Sequence, residues 1–270
     1  MTAVRPTAPG RLAETFARLR GNGAGPGLVT YITAGDPDLP RTEGILRALQ
    51  EGGADVIEVG VPFSDPLADG PVIQRATERA LAAGTTLAAV LDMVARSRLE
   101  VGVPIVLFSY ANPILRLGAE RFADRAREAG VDGVLVLDLP IEEADEFRSL
   151  MACRGIDTIL LLSPTTTDDR LRRAASLGSG FLYAISRLGV TGARDAIAEG
   201  AEEMVRRIRT YSALPVALGF GISKPEHVRE VSRWADAAVV GSALVNVIAE
   251  AGASRDLNSR VEEYVRWLKS

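Results

Sequence analysis

At 270 residues the chain is long for one ordinary domain but suits a single α/β barrel, and 47% hydrophobic against 24% charged residues can build a large core. A formal net charge of −4 excludes the basic footprint of a nucleic-acid binder, and no run approaches the roughly 20 apolar residues of a membrane span. Cys153 is the sole cysteine, which excludes an intrachain disulfide, and Met1 to Gly10 lacks the apolar core of a secretory signal, so a cytoplasmic location is expected.

In chain order, the head (Arg11–Arg20) reads as an amphipathic helix packed on the outside, followed by the apolar run LVTYIT (28–33). One unit then recurs: an amphipathic helix, a Gly or short break, and a run of branched apolar residues. It appears as EGGADVIEVG (51–60), EAGVDGVLVLD (128–138), RGIDTILLL (154–162), SLGSGFLYAI (176–185) and RWADAAVVG (233–241). The Gly suits a left-handed helix C-cap, and the short apolar run suits a strand buried on both faces. PIVLFSY (104–110) and PVALGFG (215–221) bring the strands to eight. Helical patterns separate them at roughly 40–52, 71–82 with 86–98, 118–129, 141–153, 168–176, 197–211, 225–233 and 242–250. In 168–176 the stripe is Leu171, Ala174, Ala175 and Leu177, with charges opposite. The tail, Leu257–Ser270, reads as another outer amphipathic helix. Strict β–α alternation predicts an α/β fold, a (β/α)8 TIM barrel with extra N-terminal and C-terminal helices, as one domain over 1–270; an open doubly wound sheet is the alternative. The basic clusters Arg170, Arg172, Arg173 and Arg206, Arg207, Arg209 read as solvated helix faces.

Barrel active sites form at the C-terminal ends of the strands. Strand two reads Asp55-Val56-Ile57-Glu58-Val59-Gly60, so Val56 and Glu58 share one face and Ile57 and Val59 the other. If the Ile57 face packs on helices, Glu58 points into the barrel mouth, where desolvation would suit it to acid–base work. A structural Glu paired with an arginine is the other reading. The next loop, VPFSDPLADGP (61–71), is stiffened by Pro62, Pro66 and Pro71, with Gly60 and Gly70 allowing turns. It carries Ser64, Asp65 and Asp69; stiffness suits a positioned carboxylate, and turn capping is the alternative, more easily for Asp65.

A second site is expected after strands seven and eight, at Gly219-Phe220-Gly221 and Gly241-Ser242, where barrels often bind phosphate on backbone N–H groups and a helix N-terminus. The loop Ser186–Arg194 has the glycines of a lid. The three together point to a phosphorylated substrate. Elimination narrows the chemistry. Lys224 and Lys269 are the only lysines and neither lies on a strand, which argues against a Schiff base. His227 is the only histidine, expected at the surface, which argues against a histidine metal site; Cys153 has no partner base. Carboxylate acid–base chemistry remains, beside a pocket for a flat apolar group formed by Tyr31, Phe108, Tyr110, Tyr183 and Phe220.

The segment ADVIEVGVPFSDPLADGPVIQRA (54–76) closely resembles the signature of the tryptophan synthase alpha subunit family. The likeness continues through TYITAGDP (30–37), SYANPI (109–114), VLDLPIEE (136–143), SRLGVTGAR (186–194), GFGISKPEHV (219–228) and VVGSAL (239–244), in order along the barrel. Ala184 and Leu188 depart from the family pattern, at no catalytic position. The resemblance implies retro-aldol cleavage of indole-3-glycerol phosphate to indole and glyceraldehyde 3-phosphate, with no metal or cofactor in this chain. It implies that Asp69 accepts the indole N–H, and that Glu58 protonates indole C3 and takes the glycerol hydroxyl proton. It places phosphate contacts at Gly192, Gly221, Gly241 and Ser242, and a lid threonine at Thr191. The aromatic set above becomes the indole pocket. Asp65 would face a beta subunit that carries pyridoxal phosphate, in an alpha2beta2 heterotetramer. A stand-alone indole-releasing lyase is an alternative. An idle paralogue that activates the beta subunit is another, against which the intact Glu58 and Asp69 speak.

Overall fold

The computed structural model describes residues 10–21, 27–185, 200–219 and 221–270. Its strands are β1 (Gly27–Thr33), β2 (Val56–Gly60), β3 (Ile105–Ser109), β4 (Gly133–Val136), β5 (Asp157–Leu162), β6 (Leu182–Ile185), β7 (Val216–Gly219) and β8 (Ala237–Val240). They pair in parallel in chain order, and β8 closes on β1 through Leu28↔Ala238 and Thr30↔Val240. Closure excludes the open sheet. The helices are α1 (Arg11–Gly21), α2 (Leu39–Gly52), α3 (Pro71–Ala82), α4 (Leu87–Ser97), α5 (Ala111–Leu117), α6 (Ala119–Glu128), α7 (Ala144–Ala152), α8 (Asp168–Leu177), α9 (Ala201–Arg209), α10 (Pro225–Val231), α11 (Ser242–Ala251) and α12 (Leu257–Leu268).

Local chemistry explains the boundaries. Asp38 caps α2 by accepting the Arg41 N–H at 2.8 Å, and Gly53 ends it at φ 101. Thr86 caps α4 through the Ala89 N–H at 3.2 Å. Gly178 is different: it stands after α8 at φ −68 and is no left-handed cap. Helix α5 has no counterpart among the expected helices, because seven residues containing Pro113 carry too little periodicity to read. Residues 197–199 of the expected helix before β7 lie outside the described residues.

Strand alternation sorts the apolar side chains into two layers. Val29, Val56, Val106, Leu135, Ile159, Ala217 and Val239 fill the barrel interior. Ile57, Val59, Ile105 and Leu107 face outward, into the layer beneath the helices. The expected parity of strand two is therefore the observed one.

The head helix corrects the sequence reading. It does not lie on the outside of the helix ring: Leu12 and Phe16 are fully buried in the interior layer, with Phe16 5.4 Å from the Phe181 ring. α1 closes the N-terminal end of the barrel. Its arginines reach aspartates that precede strands: Arg11 to Asp132 at 2.8 Å, Arg18 to Asp55 at 3.3 Å, Arg20 to Asp236 at 2.7 Å. These aspartates also accept the N–H groups of Ile105, Leu28 and Val216, which binds each strand start to its neighbour. The arginines are half exposed, so each pair contributes about 0–1 kcal/mol, whereas burying Phe16 contributes about 1.5–3 kcal/mol. Apolar burial, not charge, holds the plug. α12 packs on the outside as expected, against α2 and α11, with Lys269 2.8 Å from Asp55. The basic clusters are solvent-facing and paired, Arg173 with Asp145 and Arg207 with Asp168 among them.

Candidate active site

Glu58 sits in β2 between Tyr31 of β1 and Val106 of β3, facing the interior layer. It is 0% exposed, and neither carboxyl oxygen has a hydrogen-bond partner among the described residues. Among the described residues no arginine pairs with it, which speaks against the alternative of a structural Glu–Arg pair. A buried carboxylate without a counter-charge is costly, so burial raises Glu58 to about 8 and it is held as the neutral acid near pH 7.

Asp69 lies on the β2–α3 loop and is also buried, but it is not alone. The Tyr110 hydroxyl donates to its Oδ2 at 3.2 Å. Burial raises Asp69 to about 6, and the Tyr110 hydrogen bond pulls the other way. Two carboxyl groups one loop apart are thus separated in proton affinity: Glu58 protonated, Asp69 ionised. This is the pattern by which acid and base assignments are recognised.

The stiffness of the loop does not rest on glycine turns. Gly60 ends β2, and Gly70 stands at φ −79 before Pro71 opens α3. Gly60 is needed for room instead: a Cβ there would lie 2.2 Å from the Tyr31 hydroxyl oxygen. Gly219 repeats the relation, its Cβ falling 2.5 Å from the Tyr183 hydroxyl oxygen. Sequence reasoning missed both roles. The signal is one of register: Tyr31 pairs with Glu58 and Tyr183 with Ala217, so each glycine lies two residues beyond the tyrosine on the next strand.

The aromatic set divides. Tyr31, Phe108 and Tyr183 come together across β1, β3 and β6, with ring centroids 5.3 Å (Tyr31–Phe108) and 6.5 Å (Phe108–Tyr183) apart. Burial and the negative potential of the carboxyl groups raise both tyrosines, which stay neutral phenols. Tyr110 belongs to the Asp69 side, where it packs on Phe63 at 5.1 Å. Phe63 is a contact that sequence reasoning missed. Phe220 lies outside the described residues.

On the phosphate side, Gly241 precedes α11 without a side chain to cap it, leaving first-turn N–H groups for an anion. Ser242 opens that helix and is buried. A Cβ on Gly241 would be 3.6 Å from Tyr31 Cβ, so this helix start adjoins the aromatic pocket. Gly221, after β7, has φ +84. Gly192 and Thr191, with the rest of the expected lid, lie outside the described residues.

His227 corrects another expectation. It is not a surface residue: it is 5% exposed, and its Nδ1 accepts the Ser223 N–H at 3.3 Å. α10 starts at Pro225 directly after the β7 loop, so its third residue turns back beneath that loop. Asp65 is exposed, accepts the Ser64 hydroxyl at 2.6 Å, and stands beside Leu67, which is 89% exposed. Among the described residues no cluster of three or more His, Cys, Asp or Glu could hold a metal ion, and Cys153 is an exposed free thiol.

Comparison with known proteins places these features in context. The family model for the tryptophan synthase alpha chain matches residues 16–270. The tryptophan synthase alpha chain of Geobacter sulfurreducens is 51% identical over 259 residues, covering 96% of this chain and 97% of that one. That of Burkholderia thailandensis is 49% identical over 261 residues, covering 96% of each. Among solved structures, tryptophan synthase subunit alpha from Legionella pneumophila has TM-score 0.88 and 37% identity, covering 97% of this chain and 98% of that one. A chain of the tryptophan synthase a2b2 complex from Pyrococcus furiosus has TM-score 0.84 and 42% identity, covering 90% and 97%.

Proposed function

This chain belongs to the tryptophan synthase alpha chain family, and from that premise we propose which of its residues carry the family reaction. The chain is an indole-3-glycerol-phosphate lyase of L-tryptophan biosynthesis: it cleaves its substrate to indole and glyceraldehyde 3-phosphate. The observation that supports the assignment best is a buried Glu58 with no hydrogen-bond partner among the described residues, one loop before the hydrogen-bonded Asp69.

With Glu58 protonated and Asp69 ionised, each step has a donor and an acceptor in place. Asp69 accepts the indole N–H hydrogen bond and stabilises the positive charge that develops on nitrogen. Glu58 delivers its proton to indole C3, which becomes tetrahedral. The Glu58 carboxylate so formed then removes the proton of the glycerol hydroxyl next to the ring. The C–C bond breaks as the carbonyl of glyceraldehyde 3-phosphate forms, and its electron pair returns through the ring to nitrogen, releasing indole. Acid and base work of this kind accounts for about 10²–10⁴-fold per group.

Tyr31, Phe108 and Tyr183 line the indole subsite, with the Tyr110 ring at its edge; Phe220, assigned to the same subsite, lies outside the described residues. Gly221, Gly241 and Ser242 are assigned to the phosphate; Gly192, assigned with them, and Thr191, assigned to the lid, lie outside the described residues. Both proton transfers run between substrate and Glu58, and Asp69 stabilises the charge on nitrogen. The indole ring itself takes up the electron pair of the broken C–C bond, so the reading calls for no cofactor in this chain; pyridoxal phosphate belongs to the beta partner. The Pyrococcus furiosus relative comes from an a2b2 complex, and this chain pairs with a beta subunit in the same way. Asp65 and Leu67, exposed on the β2–α3 loop, form part of the docking face. The whole chain acts as one barrel domain. None of the described helices alone is long and apolar enough to cross a membrane, in keeping with work in the cytoplasm. The test is indole release by the full chain, alone and with a beta subunit added, for wild type and Glu58→Gln. Loss of about 10²–10⁴-fold in the variant is expected, and an unimpaired variant removes the mechanism.

A further inference from the structure

We propose that Tyr110 is the positioning residue for Asp69: its hydroxyl directs one hydrogen at Oδ2, holding the carboxylate ionised and its Oδ1 turned toward the substrate nitrogen. The proposal deepens the site assignment above and rests on Asp69 acting there.

The direction of the hydrogen follows from counting donors. A phenol has one hydrogen. The Ala68 N–H can only donate, and it donates to the Tyr110 oxygen at 3.0 Å. The phenol hydrogen is therefore left for Asp69 Oδ2, 3.2 Å away. No hydrogen bond among the described residues engages Oδ1. The backbone of Asp69 is held as well: its N–H donates to Pro66 O at 3.0 Å and its carbonyl accepts Gln74 Nε2 at 2.8 Å. Tyr110 thus ties two consecutive loop residues to the end of β3, and its ring is seated against Phe63. Burial, Asp69 and Asp138 keep Tyr110 far above the ordinary phenol range, so it remains a donor at every working pH.

Among the described residues the titratable groups facing the pair are Tyr31 on β1 and Asp138 after β4, with Glu58 on β2 acting on Tyr31, all of them neutral or negative. Among the described residues no cation pairs with Asp69. The Tyr110 hydroxyl is then the one described contact that favours the charged form of this carboxyl group. A donor supplied by a neutral phenol has a further merit: it leaves the negative charge of Asp69 uncancelled for the positive charge that develops on the indole nitrogen.

The experiment measures kcat and KM for indole release against pH, on the full chain with a beta subunit present, for wild type and Tyr110→Phe. Phenylalanine keeps the ring against Phe63 and removes only the hydroxyl. The acidic limb of kcat/KM should rise by roughly one pH unit, and kcat at the optimum should fall about 5- to 20-fold with KM within about twofold. An unmoved acidic limb, or a loss confined to KM, overturns the proposal. If Tyr110→Phe fails to fold, a ring-fluorinated tyrosine at the same position keeps the size and strengthens the donor. That substitution should lower the limb, and an unchanged or raised limb counts against the proposal. Asp69→Asn separates the two readings. If Asp69→Asn is inactive and Tyr110→Phe is unshifted, only the Tyr110 assignment fails; if Asp69→Asn is fully active, the assignment of Asp69 fails and Tyr110 has nothing to position.

Discussion

Replacing Glu58 by glutamine should stabilise the protein while cutting its activity about 10²–10⁴-fold, and the gain in stability should grow with pH. The unfolded chain ionises this group near its ordinary value of 4.5, whereas the folded chain holds it protonated up to about 8. The folded state therefore binds the proton more tightly, and its advantage is complete below the unfolded value and lost as pH rises toward 8. Worked through these two values, ionisation of the unfolded chain opposes folding by about 1 kcal/mol at pH 5 and about 3 kcal/mol at pH 7. Glutamine has the shape of the neutral acid and does not titrate. Its stability relative to wild type should thus be near zero around pH 4 and reach about 3 kcal/mol at pH 7. Urea unfolding of both proteins, followed by circular dichroism at pH 4, 5, 6 and 7, measures the difference directly. A difference that does not change with pH, or one that shrinks toward pH 7, would show that Glu58 is not the buried neutral acid described here.

The pH dependence of catalysis has the opposite construction at its two ends. Activity should fall as pH drops through about 6, where Asp69 takes up a proton, and fall again above about 8, where Glu58 loses the proton that C3 requires. A flat profile between pH 5 and 9 contradicts the pairing. Gly60→Ala would place a Cβ 2.2 Å from the Tyr31 hydroxyl, so the ring must shift; about 1–3 kcal/mol of stability and a clear part of kcat/KM should go with it, read by unfolding and steady-state assay. Phe16→Ala empties the plug at the N-terminal end of the barrel and should cost about 3–5 kcal/mol, seen as a lower urea midpoint, with KM unchanged once the protein is folded.

Much of the fold is legible in the sequence because its signals are local. A helix stripe, a capping residue and a short branched apolar run can each be read within about a dozen residues, and eight of these units in succession allow few arrangements. Parity along β2 is equally local, which is why residue order alone assigns Val56 and Glu58 to one face. Parity cannot say whether Glu58 has a partner. That depends on what the other strands bring to the interior, and they bring Tyr31, Phe108 and Tyr183 but no described cation within reach of the carboxyl group.

Tertiary structure decides the remainder, wherever a contact joins distant parts of the chain. Tyr110 and Asp69 are 41 residues apart, and their hydrogen bond exists because the β2–α3 loop folds over the end of β3. Arg20 and Asp236 are 216 apart, and only barrel closure sets the head helix beneath β8. α1 departs from its expected outer position for that reason: an amphipathic stripe reveals that a face is buried, not which surface buries it. His227 departs from the expected surface because polarity speaks for solvent unless an acceptor is wanted inside, and the Ser223 N–H that wants one is supplied by loop geometry. The sequence by itself thus determined the order of the barrel and the face on which its strand carboxylate stands, since both follow from periodicity. Tertiary packing raised the proton affinities of Glu58 and Asp69, because proton affinity depends on burial and on neighbours drawn from the whole chain.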